Sequence, residues 1–66
     1  MIAKGFYRAV IDVLRAHGCV FVKPGKGDHE IWRSPITNRT FPVDKGCMSR
    51  HTANAVMKQA GIGHKF

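Results

Sequence analysis

Apolar residues recur at helical spacing toward both ends of this chain and cluster in short runs between them, a pattern that predicts helix, three strands, helix. From Lys4 to His17, the residues Phe6, Val10, Val13 and Leu14 fall on a single helical face, with Arg8, Asp12 and Arg15 largely opposite. Gly18 stands where a left-handed residue closes a helix, and His17 in the last turn suits the helix dipole, which accounts for it more economically than proton transfer would. Cys19 to Lys23 is dense in β-branched and aromatic residues and is stopped by Pro24-Gly25, so it reads as a first strand. His29 to Ser34 is the second, and Thr40 to Val43 the third, after a turn marked by Pro35 and Asn38. Pro42 cannot donate to a ladder, which places the third strand at an edge. Loops this short make the three strands antiparallel. Ser49 is the expected N-cap of a last helix whose stripe is Ala53, Val56, Met57 and Ala60 and whose stop is Gly61. The stretch Gly63 to Phe66 is expected to fray, and no function attaches to His64.

The second strand sets a choice of faces. His29, Ile31 and Arg33 share one side, and Glu30, Trp32 and Ser34 share the other. Burying an unpaired Glu30 is costly, so Ile31 is expected to point into the core, with His29 and Arg33 at the two rims of that face. Trp32 then lies on the open side, either half exposed for a partner or resting across neighbouring strands.

Composition narrows the class of partner. The chain has 66 residues, room for one domain over 1–66, with 11 Lys and Arg against 4 Asp and Glu and a formal charge of +7. That excess fits a polyanion, nucleic acid first. A membrane surface fits less well, because the basic residues do not line one long amphipathic helix and no apolar run reaches spanning length. An acidic protein partner and a merely solubilising surface stay open. Cys19 and Cys47 are expected as reduced thiols in a cytoplasmic protein, since nothing upstream resembles a signal peptide. They show no CxxC or HxxxH spacing, so no metal site and no cofactor is expected. A Walker-type loop, a nucleophile elbow and a paired-carboxylate glycosidase site are absent as well.

What remains is Gly25-Lys26-Gly27-Asp28-His29, a basic two-glycine loop that delivers a histidine to the start of a strand. Its backbone N–H groups, at Gly27 among others, and Lys26 suit an anion, and His29 is the one side chain there able to exchange a proton near neutral pH. The chemistry such a set supports is cleavage of RNA, whose ribose 2′-hydroxyl is an internal nucleophile. His29 would take the proton, while Lys26, Lys23 and Arg33 would hold phosphate oxygens. The acid that protonates the leaving oxygen is unassigned. On residue types alone, an ordinary hairpin loop with a surface histidine ranks ahead of catalysis.

The order of elements, together with Gly27-Asp28-His29, Phe41-Pro42-Val43 and the closing Met57-Lys58-Gln59-Ala60-Gly61-Ile62, resembles the HicA (YcfA-like) toxin family from about Gly5 to Ile62. The resemblance implies a double-stranded-RNA-binding-domain-like α+β fold, α-β-β-β-α, with both helices on one face of a three-stranded antiparallel sheet. It also implies a metal-independent mRNA endonuclease that cuts through the histidine and is neutralised by a HicB-type antitoxin. Two departures stand out: Asp28 replaces the family's serine, and Val43 and Asp44 follow Pro42 where many members carry a histidine. Both leave open a binding-only member of the same fold.

Overall fold

The computed structural model describes residues 6–46 and 49–66. The expected start of the first helix at Lys4 and the state of Cys47 lie outside the described residues. The elements run α1 (Tyr7–Ala16), β1 (Val20–Pro24), β2 (His29–Ser34), β3 (Arg39–Asp44) and α2 (Arg50–Ala60). The strands form one antiparallel sheet in the order β1-β2-β3, so β3 is an edge, as Pro42 requires. The helices pack on each other and cover one face, where Val10, Ile11, Leu14, Trp32, Phe41, Val43, Ala53, Val56 and Met57 make the core. No helix among the described residues is long and apolar enough to cross a membrane.

Both helices close by the same device. Behind α1, Gly18 at φ +86° donates to Arg15 O and Cys19 donates to Leu14 O. Behind α2, Gly61 at φ +76° donates to Lys58 O and Ile62 to Met57 O. These are Schellman closures, and in each the residue after the glycine, Cys19 or Ile62, is buried and anchors the exit of the chain. At Gly61 a β-carbon would stand 2.8 Å from Thr37 Cγ2, so glycine is needed for space as well as for φ. Ser34, wholly buried, joins the end of β2 to the end of α2. Its hydroxyl donates to Ala60 O at 2.6 Å and accepts from Ile36 N at 3.1 Å. At the start of α2, Ser49 Oγ accepts from Thr52 N.

The expected facing of β2 is reversed. Trp32 is 2% exposed and Ser34 fully buried, while His29, Ile31 and Arg33 line the uncovered face. The expectation treated Glu30 as unpaired, and it is not: Tyr7 Oη donates to Glu30 Oε1 at 2.8 Å and Trp32 Nε1 donates to the same oxygen at 3.0 Å. A carboxylate with two donors tolerates the helix-covered side. Arg15 adds a cation over the Trp32 ring at 5.8 Å. Trp32 is therefore core and offers no surface to a partner.

The stretch after α2 also departs from expectation, because it is held. Phe66 N donates to Asn54 Oδ1 at 2.8 Å, and the Phe66 ring lies 5.6 Å from Phe6 and 4.6 Å from His64.

Candidate active site

The loop of residues 25–28 links β1 to β2 as a tight hairpin, closed by Gly25 N–H donating to His29 O at 2.8 Å and His29 N–H donating to Lys26 O at 3.0 Å. Gly27 has φ +56° with open space around its α-carbon, so backbone conformation alone demands glycine there. Gly25 is needed for the opposite reason. A β-carbon on it would come within 3.1 Å of His29 Cβ and displace the histidine.

His29 is exposed, and its Nδ1 lies 3.1 Å from Lys26 O. A carbonyl oxygen only accepts, so Nδ1 carries the hydrogen in this contact and the neutral ring presents the lone pair of Nε2. One carbonyl thus orients both the backbone and the ring of His29. The imidazole sits at a solvent-reached margin of the uncovered face.

Register decides which cations share that face. Lys23 pairs with Ile31, Val20 with Arg33, and His29 with Asp44 across the other ladder. Lys23 is a diagonal neighbour of His29, about 7–8 Å away on such a ladder. Strict alternation after Phe21, which packs edge-on against Trp32 at 6.1 Å, would have turned Lys23 toward the helices. A bulge between Phe21 and Lys23 leaves Val22 out of the pairing and brings Lys23 to the open side. Lys26 projects from the exposed loop itself. Arg33 shares the face but stands four residues along β2, about 13 Å away, and its guanidinium is engaged by Asn38 Oδ1 at the far turn. Of the expected set, Lys23, Lys26, Gly27 and His29 gather at one end of the sheet and Arg33 does not.

Two features escaped sequence reasoning. Asp44 stands directly across from His29, a placement that follows only once the β2–β3 register is known, and its carboxylate accepts from Gly46 N at 2.8 Å. Asp28 turns the same way: its Oδ2 lies 3.4 Å from where a β-carbon on Gly46 would sit, and its carbonyl accepts from Lys45 N. The loop is thereby tied to the end of β3. Among the described residues no three His, Cys, Asp or Glu side chains converge as metal ligands would.

No curated protein and no solved structure matches this chain significantly. The family model for the HicA toxin of bacterial toxin–antitoxin systems matches residues 7–62, which takes in every element from α1 to the Schellman closure of α2. The chain belongs to the HicA toxin family.

Proposed function

We propose that this toxin is a metal-independent endoribonuclease that cuts mRNA in the cytoplasm through His29 and is neutralised by a HicB-type antitoxin. The observation that carries the reading is the bond from His29 Nδ1 to Lys26 O, which leaves Nε2 as the proton acceptor at the end of the sheet that also carries Lys23 and the Lys26 loop. Nε2 takes the proton of the ribose 2′-hydroxyl, the 2′ oxygen attacks phosphorus, and the 5′ oxygen leaves and takes up a proton from water. The products are a 2′,3′-cyclic phosphate and a free 5′-hydroxyl. Lys23, Lys26 and the N–H groups around Gly27 steady the charge on the phosphate oxygens. Arg33 contributes at a more distant phosphate once it leaves Asn38. Proton transfer of this kind is worth roughly 10²- to 10⁴-fold.

The test is His29→Ala. Cleavage of RNA in the presence of a chelator should fall by roughly 10²-fold or more, while circular dichroism stays that of the parent. Full cleavage by this variant, or loss of parental cleavage on chelation, would overturn the proposal.

A further inference from the structure

The four acidic residues of the chain, Asp12, Asp28, Glu30 and Asp44, all precede position 45, whereas residues 45–66 carry Lys45, Arg50, His51, Lys58, His64 and Lys65 and no acid. The fold concentrates this asymmetry. Between α2 and the stretch that follows it lies a groove of about 500 Å³ with His51, Lys58, His64 and Lys65 on its walls and Met57 and Ile62 beneath. His51 and Lys58 are seven residues apart, on one face of α2 and about 10 Å along its axis. The opposite wall is tied back, because Phe66 N donates to Asn54 Oδ1 and the Phe66 ring packs at a tilt against Phe6. This is a built feature of one charge sign on the helical layer, away from the open face of the sheet.

From these observations we infer that the groove is a second RNA contact, holding backbone phosphates of the strand that His29 cuts; the inference rests on RNA as the substrate. In sequence the acid-free stretch starts at Lys45, whose N–H donates to Asp28 O at 2.8 Å, and it supplies every cation of the groove, with His51 the first of them to line it. A groove whose lining holds two lysines, two histidines and no carboxylate suits a polymer with one charge per unit. An acidic peptide would need only one or two such sites. The site takes phosphodiester groups of a single strand through Lys58 and Lys65, with His51 and His64 beside them.

The test measures affinity for a 2′-O-methyl RNA oligonucleotide long enough to span both sites, against salt concentration. That probe lacks the attacking hydroxyl, so binding is read whether or not the protein cleaves, and failure of the nuclease reading would show separately as intact natural RNA. Removing two phosphate contacts with Lys58→Ala/Lys65→Ala should make the slope of log K on log salt shallower by about 1.4. Lys58→Arg/Lys65→Arg should keep the parental slope. An unchanged slope in the alanine variant overturns the inference, and it does so equally if that variant instead loses an acidic protein partner.

Discussion

Glu30 is where the packing argument is most exposed to test. Replacing it with glutamine keeps an acceptor oxygen of the same shape but removes the charge. A hydrogen bond to an ionised group contributes roughly 1.5–3 kcal/mol and one to a neutral group roughly 0.5–1.5. Two donors, Tyr7 Oη at 2.8 Å and Trp32 Nε1 at 3.0 Å, share Glu30 Oε1. The change therefore costs about 2 kcal/mol, or about 1 after allowance for solvent around the half-buried carboxylate. Glu30→Ala goes further, because the indole N–H of a residue only 2% exposed loses its partner, and about 2–4 kcal/mol should be lost. A chain of this length has about 3–10 kcal/mol in all, so the alanine variant should be visibly less stable and in part unfolded. Urea unfolding followed by the fluorescence of the single tryptophan, Trp32, reports both values. If Glu30→Ala unfolds within about 0.5 kcal/mol of the parent, the carboxylate does not satisfy the indole and the account of the reversed strand face fails.

Two further outcomes follow from the same core. Ser34→Ala removes the donor to Ala60 O at 2.6 Å and the acceptor for Ile36 N, and it should cost about 1–3 kcal/mol in urea unfolding with the fold retained. The Tyr7 hydroxyl is held above its usual 10.0, first by burial and then by its bond to Glu30, so the folded chain keeps that proton after the unfolded chain has lost it. Its contribution is intact below about pH 10 and is lost as pH rises through the folded value; stability measured across that range should fall in the parent and stay flatter in Tyr7→Phe.

Much of the architecture was legible in the residues. β2 runs from His29 to Ser34 as the alternation and turn residues indicate, Ser49 caps α2, and both helices stop at the expected glycines. The facing of β2 was not legible, because what makes Glu30 tolerable is a tyrosine 23 residues earlier in another element. Nor was the bulge, since Cys19 to Val22 is apolar throughout and carries no alternation from which to read a phase. Of the candidate site, the loop with Lys26 and His29 could be read from sequence, whereas the facing of Lys23 came with the bulge. The engagement of Arg33 with Asn38 and the position of Asp44 across from His29 depend on register, which turn residues constrain only loosely.

The unpaired residue in β1 also bears on how this protein survives in a crowded solution. Val20, Phe21 and Val22 are about half exposed along an outer strand, the kind of template on which a second chain can add and from which aggregates grow. The kink at Val22 interrupts the row of free amides, and Pro24 removes another donor two residues on. A straight, fully donating β1 would be more regular and more adhesive. The irregularity that brings Lys23 to the open face also breaks the straight edge on which a second copy would have to build.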